Sequence, residues 1–387
     1  MKALAAAVLV AWCALAYPAP RVPTDDAAVL ERLPARRDDP TMAELRALRQ
    51  ASRANPGDSG AAARLAMRYF ELANAEGDPR YVGYAEAAVR PWPGDDAPVE
   101  ILYARALLRQ YRHEFDAALA DLGRVVEREP EHFGAHAWRA ALFMVRAQYA
   151  EAVRECAALP LAKDNLYAVA CHAYADATTG KTRAAYERLL AAFRGAHDAG
   201  PGEKLWVLTR LAEMAWRLGD AAAAESHFRA ALALGQDDNF LLAAYADFLL
   251  EQNRPREVVE RLKAWSRSDT LLLRLALAEK AVGAPEAAAH AQALGDRFAA
   301  AALRGERLHM GEEARYLLDL KGDAKAALAV GMENWTVAQQ REPRDALVVL
   351  EAAVAAKEPG PAAPVLRWMQ DTGFESDRMR RLAGALR

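Results

Sequence analysis

Residues of matching character recur at a fixed interval along this chain. Ala106 and Ala140, Phe115 and Tyr149, Ala118 and Ala152, and Leu122 and Cys156 each stand 34 apart (140 − 106 = 34). The interval returns independently in Leu208 and Leu242, Ala212 and Ala246, Ala224 and Val258, and Phe228 and Leu262. A period of that length marks an array of helix pairs, in which each unit buries its apolar flank on the next. It excludes the folds that depend on long-range strand pairing, and it lets 387 residues form one array without a domain split.

The logic of the period is visible within a unit. Small residues at Ala106, Ala140, Ala173, Ala212, Ala246 and Ala276 in first helices, and Ala118, Ala152, Ala185, Ala224 and Ala288 early in second helices, let two backbones approach closely. Phe115, Tyr149, Phe228 and Leu262 fill the space toward the next unit. Gly180 and Gly219 stand where the turn between the two helices needs a residue tolerant of positive φ. Laid out this way, 41–387 is an all-α solenoid of about nine antiparallel helix pairs, the last three more divergent. Hydrophobic residues make up 53% of the chain, much of that Ala, which agrees with an ordered, helix-rich protein.

The start of the chain reads differently. One lysine, an apolar run from Ala3 to Cys13, and Ala14-Leu15-Ala16 before Tyr17-Pro18 have the pattern of a cleavable export signal, with the cut after Ala16. The bulky Trp12 before Cys13 argues against lipid attachment there, and the run is too short for a bilayer span. Residues 17–40 carry five prolines and two acidic pairs, an extended leader with at most a helical turn at Ala27–Leu33. The expected location is an oxidising compartment, a bacterial periplasm. There Cys156 and Cys171 flank the turn around Leu159-Pro160; the favoured reading makes both small core residues, and a disulfide is the alternative.

The unit Leu208-Thr-Arg-Leu211-Ala212-x-x-Ala215-x-x-x-Gly219-Asp220-Ala-x-x-Ala224-x-x-x-Phe228-x-x-Ala231, and the similar stretch Phe133–Leu159, resemble the tetratricopeptide repeat family. The resemblance covers most of Ser59–Ala356. It implies a right-handed superhelix whose concave wall, lined by one face of each first helix, binds proteins or peptides. Carried over residue by residue, that wall takes Tyr103 and Tyr111, Trp138, Tyr167 and Tyr174, then Trp206, Arg210, Glu213 and Arg217. It continues through Phe240 and Asp247 to Arg274 and Lys280. Core packing competes for Trp138, Tyr167 and Trp206, whereas Arg210, Arg217, Arg274 and Lys280 lack a reason to be buried, which favours the groove. The sequence departs from the family pattern where Arg315 occupies a small-residue position.

Other chemistry is weakly represented. Ser59 in Gly57-Asp58-Ser59-Gly60 reads as the N-cap of the first repeat rather than a nucleophile. His113-Glu114 lacks the second histidine of a zinc protease, since Ala117 stands four residues on. His132 and His136 lie one helical turn apart but read as solvated or capping side chains. A net charge of −3 offers no basic excess for nucleic acid, and no phosphate loop or dinucleotide fingerprint appears. The expected function is a non-catalytic exported scaffold, without cofactor or metal, for an extended protein or peptide. A metal-handling protein or enzyme using Glu131, His132 and His136, and a structural subunit of an envelope assembly or transport system, are the alternatives.

Overall fold

The computed structural model describes residues 39–78, 80–159, 166–306 and 308–386. The expected signal segment and nearly all of the proline-rich leader lie outside them. The described residues form twenty α-helices and no strand, as the period predicts. The unit Met1–Ala47 contributes the start of α1 (Pro40–Ala54), and the repeat array lies in the unit Leu48–Arg387.

Nine pairs follow α1. They are α2 (Ser59–Glu76) with α3 (Arg80–Val89), α4 (Val99–Tyr111) with α5 (Phe115–Arg128), and α6 (Phe133–Val145) with α7 (Tyr149–Ala158). Next come α8 (Leu166–Thr178) with α9 (Thr182–Gly195), α10 (Pro201–Arg217) with α11 (Ala221–Leu232), and α12 (Asn239–Glu251) with α13 (Pro255–Leu262). The last three are α14 (Asp269–Val282) with α15 (Ala287–Leu303), α16 (Met310–Arg315) with α17 (Ala324–Thr336), and α18 (Pro343–Ala356) with α19 (Ala363–Thr372); α20 (Asp377–Ala385) closes the chain.

Local chemistry sets the helix starts. Asp58, Asp220, Asp238 and Asp323 each accept the N–H three residues on and cap α2, α11, α12 and α17. The cap of α2 is therefore Asp58; Ser59 is instead the first helical residue, and its hydroxyl donates to Glu100 at 2.6 Å. The small-residue rows are buried as expected, from Ala106 and Ala140 to Ala246 and Ala276. Ala288 is the exception and is exposed, because 285–286 belong to the turn and α15 buries Leu294 and Phe298 in its place. The first helix of the eighth pair is short: α16 passes into a π-helical segment, Tyr316–Lys321, which packs Tyr316 against Phe298 with ring centroids 5.5 Å apart.

Two long-range closures shape the array. Asn239, at the start of α12, donates its side-chain N–H to the carbonyl of Asn74 near the end of α2 at 3.1 Å, so the row of first helices curls until its beginning meets its sixth member. The row continues through α14, α16 and α18, and the last pairs lie along the turns that join first to second helices in the earlier pairs. Arg341 N–H donates to the Val145 carbonyl (2.8 Å), Trp368 Nε1 to the Tyr149 hydroxyl (2.8 Å), Thr182 N–H to Glu375 Oε2 (2.8 Å), and Arg378 pairs with Glu251 (2.7 Å). No helix among the described residues is long and apolar enough to cross a membrane.

Candidate protein-binding site

The starts of successive first helices bring a row of rings together. Phe133 opens α6 and is 42% exposed; its ring centroid is 5.2 Å from that of Tyr167 on α8. Tyr167 stacks on Trp206 of α10 at 4.6 Å with 17° between planes. One helical turn beyond Trp206, the Arg210 guanidinium sits between the faces of Tyr174 (4.5 Å) and Phe240 of α12 (4.4 Å). The row thus crosses four first helices. Beside it opens a pocket of about 370 Å³ lined by Leu205, Trp206, Thr209, Arg210, Asp237 and Phe240, among others. Rings held on helices offer contact area at small entropic cost, which suits recognition of a polypeptide.

The electrostatics keep this wall uncharged at the rings and paired beneath them. Burial pushes the hydroxyls of Tyr167 and Tyr174 up to about 12 despite the nearby Arg210, so both remain neutral. Tyr111 also rises to about 12 through burial, with Asp269 and Asp78 adding to the shift. Arg210 donates from Nη1 to Glu213 at 2.7 Å, while burial raises the Glu213 carboxyl against that attraction. The Nε–H of Arg210 is buried and has no partner.

The other wall residues are distributed along the same faces. Tyr103 lies 4.8 Å from the His132 ring, and Trp138 meets Phe70 edge-on at 6.0 Å, so both serve packing between first helices. The expectation that the basic residues have no reason to be buried is corrected. Arg210 is 8% exposed because two rings and Glu213 enclose it, and Arg274 is 4% exposed because Asp247 accepts from its Nε and Nη2 at 3.2 and 2.8 Å. Burial opposes ionisation of Asp247, but Arg274 and Arg315 outweigh it and hold the carboxyl down at about 2. Arg315, which breaks the small-residue pattern, is thereby accounted for as a counter-ion. Arg217 faces the chain's own C-terminal pairs: it lies 4.1 Å from the Phe374 ring and donates to the Glu375 carbonyl, and burial lowers it to about 10. Lys280 is exposed, with Nζ donating to the Asp319 carbonyl at 2.6 Å.

The histidines have structural partners. His132 caps α6 by accepting from Ala135 N–H at 3.1 Å. His136 is not solvated: it is buried between Glu155 (2.7 Å) and the Pro130 carbonyl (2.9 Å). Cys156 and Cys171, both buried in the core, are joined as a disulfide with Cα atoms 5.6 Å apart and staple α7 to α8; the reading of two free core cysteines gives way to the alternative, because these neighbouring helices bring the two Cα atoms within the span of the bond.

Phe133 was absent from the expected wall, although it stands one period before Tyr167 (167 − 133 = 34) and the register alone selects it. Arg344 and Glu342 also approach this region; Arg344 lies 5.6 Å from the Phe240 ring, and Glu342 adds to the field at Tyr174. No protein-family model matches the sequence, and no curated protein matches it. Among solved structures the chain is similar to one of the Cut9–Hcn1 hetero-tetramer of APC/C, at 13% identity and TM-score 0.50 over 90% of this chain and 67% of that one. It is also similar to a tetratricopeptide repeat protein from Parabacteroides merdae ATCC 43184 (16% identity, TM-score 0.44, 61% of this chain, 91% of that one). A third likeness is to the structure of Naa15/Naa10 bound to HypK-THB (16% identity, TM-score 0.31, 90% and 56%). With the helix-pair architecture above, the chain is an α-solenoid of the tetratricopeptide-repeat type.

Proposed function

We propose that this protein is an exported, non-catalytic interaction scaffold that holds an extended protein segment against the starts of its first helices. The observation that carries the reading is the row Phe133–Tyr167–Trp206, continued through Arg210 to Phe240, with an open pocket at its far end. Such a row presents apolar faces in series across neighbouring helices, and a polypeptide lying across them engages several at once. Export is supported by the leader ending at Ala16 and by the disulfide, a bond that persists in oxidising compartments.

Photoreactive groups placed at Phe133 and Trp206, with Val153 on the outer helix α7 as control, test the reading in cells. A reproducible protein adduct from the first two sites and none from the third supports it; equal capture at all three, or none at the first two, overturns it. Mass analysis of the secreted or periplasmic chain tests export, since the mature protein then begins at Tyr17.

A further inference from the structure

The ring row is bordered by carboxylates that stand in no ion pair with a described residue. Glu131 lies in the loop before Phe133, Glu203 stands in the first turn of α10 close enough for the Tyr167 hydroxyl to feel its charge, and Asp237 lines the pocket with Trp206 and Phe240. Among the described residues none of the three is in an ion pair. Among the described cations of the same border, Arg210 and Arg344 are paired with carboxylates, Glu213 at 2.7 Å and Glu342 at 2.6 Å, and Lys204 keeps its charge while bonded to the His197 carbonyl at 3.1 Å. Among the described residues Glu131, Glu203 and Asp237 outnumber the unpaired Lys204, so the uncompensated charge along the row is negative, and rings that attract cations across their faces alternate with it.

The geometry adds a second constraint. Packed helices stand about 8–10 Å apart, and a polyproline II segment advances about 9 Å in three residues, returning to the same face each time. A segment with a cation at every third residue can set successive cations against Glu131 and the Phe133 ring at the start of α6, the Tyr167 ring of α8, Glu203 of α10 and Asp237 just before α12. Polyproline II leaves its carbonyls without internal partners, and the buried, unpartnered Nε–H of Arg210 in the pocket wall is a donor for one of them.

We propose that this border binds a basic segment in polyproline II form, with a lysine or arginine at every third position. The inference rests on the scaffold reading and names the partner chemistry of the same face. Its test is fluorescence anisotropy of a labelled peptide of repeated Pro-Pro-Arg triplets on the full chain, beside Pro-Pro-Glu and Gly-Gly-Arg versions. The Pro-Pro-Arg peptide is expected to bind more tightly than either, to weaken with added salt, and to lose about tenfold in affinity in Asp237→Lys and again in Glu203→Lys. Melting curves of both variants, unchanged from the native chain, show that the loss is local. Equal or tighter binding of the Pro-Pro-Glu peptide, or undiminished binding in both variants, overturns the proposal. Adducts at Phe133 and Trp206 with a partner segment lacking basic triplets also overturn it while leaving the scaffold reading in place, whereas absence of those adducts removes both.

Discussion

The side-chain amide of Gln340 lies 2.6 Å from Nδ1 of His113, joining residues 227 apart in sequence. His113 takes a left-handed backbone (φ 60) in the turn after α4, and Gln340 sits in the connection between α17 and α18. Next to this contact, Gln339 Oε1 accepts from Arg146 at 2.7 and 3.1 Å, and Arg341 donates its backbone N–H to Val145. Three consecutive residues thus clip the last pairs onto the turns of the second and third. The clip is made of hydrogen bonds more than of apolar area, so it responds to charge.

Acidification should weaken the fold through His113. Burial lowers it to about 4, with His309 and Arg344 reinforcing the shift and Glu312 and Glu342 opposing it. The folded state refuses a proton that the unfolded chain accepts, so this contribution is whole above pH 6.5 and is lost as pH falls from 6.5 towards 4. Allowing for partial exposure, its size is about 2 kcal/mol. In urea melts at intervals between pH 7 and 5, the native chain should lose stability faster than His113→Gln, which keeps an acceptor but no titrating group. Parallel curves would remove His113 from this role.

Within the array two arginines converge on Asp121. Its carboxylate is wholly buried and receives Arg105 through Nε and Nη2 (2.8 and 2.7 Å) and Arg109 at 2.6 Å. The arrangement recurs one period on, where Arg139 pairs with Glu155 at 2.7 Å (139 − 105 = 34; 155 − 121 = 34). Asp121→Ala leaves the buried Arg105 without its counter-ion and should cost about 3–5 kcal/mol in urea unfolding. Arg105→Met combined with Asp121→Leu should recover most of that loss, since an apolar pair carries no desolvation cost. A cost below about 1 kcal/mol for Asp121→Ala contradicts this account.

These pairs show how far the sequence could be read. The small-residue rows and turn glycines give the helix pairs because they depend on one local requirement repeated at a constant interval. Carrying the register forward also found Tyr167 and Trp206, which do stack. It left Arg210 and Arg274 in the open, because what encloses them is legible only in three dimensions: Asp247, which holds Arg274, is on the preceding first helix, and the rings around Arg210, whose ion partner Glu213 is three residues on, come from α8 and α12. The seating of the last pairs had no signal at all. It rests on single polar contacts such as His113 with Gln340 and Tyr149 with Trp368, which carry no period.

Reduction should be felt at one place. The bond between Cys156 and Cys171 closes a sequence separation of 15, for which loop entropy predicts about 3 kcal/mol. Thermal unfolding followed by circular dichroism should therefore shift downward by several degrees when reductant is added. The Cys156→Ala, Cys171→Ala double variant should start at the lower value and ignore reductant. A native chain indifferent to reductant would show that the staple adds nothing.

The closure of the row can be isolated by comparing two glycines. Gly77 (φ 65) and Gly219 (φ 81) both end first helices in the left-handed region, so alanine at either position costs about 1 kcal/mol from backbone alone. Around Gly219 a new Cβ meets nothing within 4 Å. At Gly77 it would stand 2.6 Å from both Asn239 Nδ2 and Ser268 Cβ, forcing Asn239 off the Asn74 carbonyl and disturbing Ser268, which caps α14 through the Leu271 N–H. Gly77→Ala should therefore cost about 1–2 kcal/mol more than Gly219→Ala. Hydrogen exchange at Leu271 and Leu272 should quicken in the first variant alone. Equal costs, with unchanged exchange at α14, would mean that the contact between the first pair and the sixth does not hold the array closed.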